Sequence, residues 1–212
     1  MAAPVEKTLQ MLKKNYPDTK YYLNFSNPLE LLVAAILSAQ VRDTIVNATT
    51  PHLFKKYKTA KDYANANITE MENIVRSIPF YKNKVRNIKE ACRIIDERHG
   101  GRVPKTMEEL TEMPGIGRKT ANAILSNAFD IVNGVVVDTH VIRLSQRLGW
   151  TKNTNPEKIE SDLMKIVPKK EWKKLPHLLK DHGRAVCTAP VPKCGSCFLN
   201  SICPKAGVTK RN

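Results

Sequence analysis

No apolar run in this sequence approaches the roughly 20 residues that a membrane-spanning helix needs. The longest, Leu29 to Leu37, is interrupted by Glu30. The stretch Met1 to Lys14 also lacks the apolar core of a secretion signal; its Val5, Leu9 and Leu12 instead fall at helical spacing. These absences point to an intracellular protein with no membrane partner. Thiols are then expected to be reduced, so disulfides are a poor account of the five cysteines. Strand signals are scarce as well. Val135-Val136-Val137 is the only strand-like run, and it is short. There are no repeats, low-complexity runs or long linkers, and the expected class is all-α. Acidic residues are few, 20 Asp+Glu against 35 Lys+Arg, a net charge of +15. Such an excess favours a polyanionic partner, nucleic acid first and acidic membrane second. A solvated basic surface gives the same count. The 212 residues suffice for one large or two small domains with real cores.

Helix signals punctuate the chain. Asn27-Pro28-Leu29-Glu30 combines a cap residue, proline at the first helical position and an acid three residues after the cap. The segment Leu31 to Leu37 is apolar on nearly all sides, which predicts a buried central helix. Polarity returns abruptly at Gln40-Val41-Arg42-Asp43, either the rim of a pocket or a helix end reaching solvent. The next helix is expected from about Thr44 toward Tyr57, kinked or split at Pro51. Asn67-Ile68-Thr69-Glu70 starts another, which ends before Pro79-Phe80-Tyr81, a turn with two exposed-looking aromatics. Val85, Ile88, Cys92 and Ile95 share one face of a helix from about Lys82, stopped by Gly100-Gly101. Cys92 on that face reads as a core residue. Asn155-Pro156 opens a helix carrying Ile159, Leu163 and Ile166. A last helix is expected around Trp172 to His182, with Pro176 kinking or starting it.

The stretch from Met113 to Asp138 carries the strongest chemical signal. Thr106-Met107-Glu108-Glu109 caps a short helix, and Met113-Pro114-Gly115-Ile116-Gly117-Arg118-Lys119-Thr120 reads as a tight hairpin running into a second. Gly115 and Gly117 permit positive φ and keep no side chain in the way of another backbone. Ala121, Ile124, Leu125 and Ala128 share one face of the second helix. A glycine hairpin at a helix N-terminus aims unpaired N–H groups at one spot suited to phosphate, and Arg118 and Lys119 add charge there. An ordinary αα-hairpin would use the same glycines only to turn. Asp138 follows the valine run, where a helix cap belongs.

Four cysteines, Cys187, Cys194, Cys197 and Cys203, form C-x6-C-x2-C-x5-C. Clustered thiols in a reducing compartment argue for metal. Structural zinc usually takes two close pairs, and only Cys194 and Cys197 make one. An iron–sulfur cluster needs four thiolates and tolerates varied spacing. Gly195 and Ser196 allow the tight turn between the middle pair.

The hairpin motif, Val137-Asp138-Thr139-His140, Leu37-Ser38-Ala39-Gln40, His182-Gly183-Arg184 and the cysteine spacing together resemble the endonuclease III family. These are helix-hairpin-helix DNA glycosylases of base-excision repair, and the resemblance covers nearly the whole chain. It implies a two-lobed helical fold: a six-helix domain over about 23–133, with the hairpin unit at about 106–129, and a second domain from 1–22 plus 134–212. DNA would lie across a cleft with Lys119 and Asp138 facing each other at its mouth. The cysteine spacing is identical to the family's and implies a [4Fe–4S] cluster in the loop 187–203.

The implied activity is a bifunctional DNA N-glycosylase and abasic-site lyase acting on oxidised pyrimidines of the thymine glycol type. A lysine at the position of Lys119 marks the bifunctional members. An ammonium cannot attack, so its pKa must fall, which a helix N-terminus, Arg118 and partial burial would favour. Asp138 would stabilise a sugar cation or accept a proton. The resemblance gives Gln40 and Phe80 the filling of the hole left by the extruded nucleotide. It gives Gly115, Gly117, Arg118, Lys193 and Lys205 DNA-backbone contacts, and Asp43 a place in the base pocket. Double-stranded DNA with a damaged base or abasic site is the implied partner, in the cytoplasm or nucleoid, and a monomer is expected. Two other readings stay open: a mismatch or uracil glycosylase on the same fold, and a DNA-binding module without catalysis.

Overall fold

The first turn of a helix leaves N–H groups unpaired, and a short polar side chain just before it can accept from them. The computed structural model describes residues 1–212, and six of its helices begin at such a cap: Asn27, Thr59, Asn67, Thr106, Asp138 and Asn155. In chain order the helices are α1 (Val5–Asn15), α2 (Pro28–Leu37), α3 (Asp43–Lys56), α4 (Ala60–Asn65), α5 (Ile68–Ile74) and α6 (Tyr81–His99). They continue as α7 (Met107–Thr111), α8 (Arg118–Ala128), α9 (Thr139–Arg147), α10 (Pro156–Ile166) and α11 (Leu175–Ala185). A 3-10 turn spans Lys169–Glu171, and there is no strand. The chain divides into two compact units: Tyr21–Ile131, and Met1–Lys20 together with Val132–Asn212.

The continuous unit is built on α2. Every residue from Leu31 to Leu37 is buried, because α3, α6 and α8 all pack on it. Asn27 Oδ1 accepts from Glu30 N–H (3.0 Å), and Glu30 Oε2 accepts from Ser26 N–H (2.7 Å). Along α6, Val85, Ile88, Cys92 and Ile95 are fully buried. The helix ends at Gly100, which is left-handed (φ 57°), with Gly101 N–H donating to Ile95 O. The stripe also includes a lysine: Lys84, one turn before Ile88, is only 6% exposed. Tyr81 is half-buried against this core, whereas Phe80 is 68% exposed.

The discontinuous unit joins the N-terminal helix to the C-terminal third. Leu9 and Leu12 of α1 are buried in the same core as Val141, Leu144, Leu163, Leu175 and Leu179. Lys13 pairs with Glu171 at 2.6 Å. Trp150 Nε1 donates to Ala3 O (2.9 Å), fixing the start of the chain against the end of α9.

Of the kink or split expected at Pro51, the split does not occur: helix α3 runs as one element through it. The run 135–137 forms no strand, because no second extended segment exists to pair with it; Val135 and Val137 are simply buried in the core. Ile166 ends α10 and is 41% exposed, while Ile159 and Leu163 are buried. Pro176 starts α11, and Trp172 lies before that helix. Helix α4 is an addition. Its capping box, in which Thr59 Oγ1 accepts from Asp62 N–H and the Asp62 carboxylate accepts from Thr59 N–H, is local enough to read from sequence.

Helices α9 and α11 meet at Gly183. A Cβ there would sit 2.8 Å from His140 Nδ1, 2.9 Å from Arg143 Nη2 and 3.2 Å from Leu144 Cδ1. The Arg143 guanidinium cannot easily withdraw, because it donates to Gly183 O (3.1 Å). Gly183→Ala should therefore lower stability by about 1 to 2 kcal/mol, overpacking exceeding the gain in helix propensity. The measurement is urea unfolding; an unchanged or raised midpoint would show that the contact relaxes freely.

Candidate active site

In the continuous unit, helix α8 is entered from a hairpin. Met113 N–H donates to Leu110 O, Ile116 N–H to Met113 O, and Gly117 O accepts from Ala121 N–H. Met113 and Ile116 are buried and anchor the turn in the core. Gly115 has φ +82°, and a Cβ there would lie 2.9 Å from Asn87 Nδ2. Glycine is required at that position by the protein itself. Gly117 is different. Its φ is −90°, so the positive φ that glycine permits is not used, and a Cβ would meet nothing within 4 Å. Gly117 caps α8, with Arg118 and Lys119 as the first two helical residues. Lys119 is exposed, not partly buried as expected, because the hairpin turns its helix end toward solvent.

Gln40 lies just beyond the end of α2, and Phe80 is the N-cap of α6. Both are exposed and both are left-handed, with φ of 57° and 58°. Only four non-glycine residues have positive φ: Gln40, Phe80, Asp130 and Lys205. Such conformations cost about 1 to 3 kcal/mol each and gather at functional positions. Three of the four carry side chains for which DNA contact is expected. Asp43 opens α3 and is buried.

In the discontinuous unit, Asp138 caps α9: its Oδ1 accepts from His140 N–H (2.8 Å) and Val141 N–H (2.9 Å). Both bonds use one oxygen, leaving Oδ2 outside the cap. His140 beside it is held below the usual histidine range by burial, against the pull of Asp138 and with a contribution from Arg143. At neutral pH this ring is therefore uncharged.

The four cysteines lie beyond α11 and none is in a disulfide. No three His, Cys, Asp or Glu side chains are gathered as ligands of a single ion. All four thiols instead line one cavity, with His182 and Arg147. Burial raises the Cys197 and Cys203 thiols, and their neighbouring sulfurs add to the rise. Four half-buried thiols around one space form a donor set that fits an iron–sulfur core. The surrounding groups point donors at the sulfurs. Arg147 Nη1 donates to Cys187 Sγ (3.3 Å), Leu199 N–H to Cys197 Sγ (3.4 Å), and His182 Nε2 lies 3.5 Å from Cys197 Sγ. Burial lowers the His182 pKa to about 4, and its Nδ1 is 3.1 Å from Tyr16 OH.

Arg143 and Arg147, one turn apart on α9, hold the entrance of this loop. Arg143 Nε donates to Cys187 O (3.2 Å), and Arg147 donates to Cys187 O (3.2 Å) and Thr188 O (2.8 Å). Sequence reading missed these two arginines; their spacing on an otherwise amphipathic helix was the available signal. Lys193 is exposed. The Lys205 ammonium donates to Asn200 O (2.9 Å) and Cys203 O (3.3 Å), bracing the loop from within.

Comparison with known proteins gives this arrangement its context. Residues 33–169 match the family described as HhH-GPD superfamily base excision DNA repair protein. The endonuclease III of a Synechocystis strain is 50% identical over 93% of this chain and 90% of its own length. An endonuclease III solved in a non-covalent complex with DNA superposes with a TM-score of 0.89 at 42% identity, covering 95% of this chain and 94% of that one. Another, solved as a trapped covalent intermediate with DNA, gives 0.88 at 42% identity over the same shares. With the glycine hairpin before Lys119, the Asp138 cap and the four thiols already in place, the chain belongs to the HhH-GPD superfamily of base excision DNA repair proteins and, within it, to the endonuclease III family of DNA glycosylases with abasic-site lyase activity.

Proposed function

We propose that this protein removes oxidised pyrimidines, of the thymine glycol type, from double-stranded DNA and then nicks the strand, with Lys119 as nucleophile. The observation that carries the reading is the hairpin. Gly117 has no conformational or internal steric need to be glycine, so the missing side chain leaves room for something outside the protein. Exposed Arg118 and Lys119 follow it at a positive helix end. A DNA backbone fits that description.

The chemistry needs the target nucleotide out of the stack. Neutral Lys119 Nζ forms a bond to C1′ while the glycosidic C–N bond breaks, its electron pair leaving with the base, which takes up a proton. Asp138 offsets positive charge developing on the sugar and accepts the proton that the amine sheds. Opening of the sugar ring gives a Schiff base. Loss of a C2′ proton then expels the 3′ phosphate, nicking the strand by β-elimination. Gln40 and Phe80 fill the vacated stack, and Asp43 lines the base pocket. Arg118 and Lys193 take backbone phosphates, as does the ammonium proton of Lys205 not used within the loop.

We infer further that Cys187, Cys194, Cys197 and Cys203 hold a [4Fe–4S] cluster. When bound, it cross-links the loop that presents Lys193 and Lys205. Protein purified without air should carry about four iron and about four sulfide per chain. Zinc with no iron would contradict the assignment.

Borohydride should trap the protein covalently on an abasic duplex, and Lys119→Gln should abolish trapping while binding persists. Persistent trapping in that variant would falsify the nucleophile assignment. Excision from a panel of single-lesion duplexes separates oxidised pyrimidines from uracil and mismatches. The two hairpin glycines should separate as well. Gly115→Ala should lower the melting temperature, since it forces a left-handed alanine against Asn87. Gly117→Ala should leave melting unchanged and weaken DNA binding by about tenfold, a loss of about 1.4 kcal/mol. Unaltered binding by Gly117→Ala would mean that no backbone approaches there.

A further inference from the structure

We propose that Lys84 is a positioning residue for base removal: it locks the two loops that carry Gln40 and Phe80 in the backbone geometry from which those side chains enter the duplex. This rests on the reading of Gln40 and Phe80 as the residues that fill the stack.

Lys84 lies in the first turn of α6, inside the protein, at 6% exposure. Its side chain shares the buried stripe with Ile88 and Cys92, where burial of a cation is costly unless it is fully bonded. Burial as such disfavours its charged form. The ammonium donates to Leu37 O (3.0 Å) and Ala39 O (2.7 Å). Leu37 is the last residue of α2, and its carbonyl is among those that a helix leaves without partners. A cation at this negative helix end is favourable.

Ala39 is the more informative partner. Its carbonyl belongs to the same planar peptide as the Gln40 N–H, so fixing that oxygen fixes the plane from which Gln40 turns. Gln40 then adopts φ 57°, a conformation that persists in a non-glycine residue only where its surroundings impose it. The main chain of Lys84 acts on the other loop. Its N–H donates to Phe80 O (3.2 Å), the bond that closes the first turn of α6 over the left-handed Phe80. One residue thus bonds directly to both loops, through its side chain to one and its backbone to the other. A core lysine serving only to cap α2 would need Leu37 O and nothing beyond it.

The test compares Lys84→Met with the wild type on two duplexes, one with a single thymine glycol and one with a preformed abasic site, under single-turnover conditions. A 2-aminopurine beside the lesion reports extrusion. Extrusion and base removal should slow tenfold or more in Lys84→Met, while nicking of the abasic site changes less than threefold. Lys84→Arg, which keeps donors for the same carbonyls, should restore much of the rate. Gln40→Ala and Phe80→Ala, run alongside, separate the two ideas. If neither slows extrusion, the stack-filling reading fails and this inference with it. If they do slow it and Lys84→Met does not, only the role of Lys84 is refuted. If Lys84→Met does not fold, Lys84→Gln takes its place. Equal losses on both duplexes, or failure of both variants to fold, mean that Lys84 is a core residue and overturn the inference.

Discussion

An all-helical chain leaves carbonyls unpaired at every helix C-terminus, and that constraint shapes this protein more than any single contact. Here cations meet it repeatedly. Lys84 takes the end of α2, Lys89 bonds Ala64 O and Ala66 O beyond α4, and Arg143 bonds Gly183 O near the end of α11. Arg147 continues along the backbone into the cysteine loop. Each side chain comes from a different helix from the one it caps, so the bond that satisfies a helix end also fixes two elements together. A glycine cap, such as Gly100 after α6, satisfies its helix without reaching any neighbour.

This changes the meaning of the charge. The +15 net charge counts every lysine and arginine alike, yet Lys84, Lys89, Arg143, Arg147 and Lys205 are engaged with the protein's own carbonyls. Lys193 does the same more weakly, donating to Ala185 O at 3.4 Å, while Lys119 stands exposed. Bulk charge therefore overstates the positive surface left free for an outside partner. The same economy appears in the backbone. Left-handed backbone is confined to four non-glycine residues, and Gln40, Phe80 and Lys205 are three for which the sequence predicts DNA contact.

The sequence was legible where the signal was local. Asn27-Pro28 and Asn155-Pro156 announced α2 and α10 because caps act within four residues. The stripe Val85, Ile88, Cys92 and Ile95 announced α6 because burial follows helical period. Cysteine spacing and the hairpin motif were equally local. What escaped depended on partners distant in sequence. The valine run 135–137 has strand composition, and only the absence of a pairing segment decides against it. Gly117 looked like Gly115, and only the surroundings show that one glycine is demanded by φ and Asn87 while the other is not. Lys84 sits on a stripe whose neighbours are apolar, with its carbonyl partners more than forty residues away.

The discontinuous unit has a consequence for synthesis. The apolar face of α1, with Leu9 and Leu12, is covered in the finished protein by elements including α11, which begins at Leu175. At about 5 to 20 residues per second, that cover emerges on the order of ten seconds or more after α1 leaves the ribosome. The unit Tyr21–Ile131 is continuous and holds its core within itself, so it can close during that interval. Helix α1 is then made before that unit and buried after it. A nascent chain stalled before α11 would display a finished domain preceded by an uncovered amphipathic helix, a ready substrate for chaperone or protease.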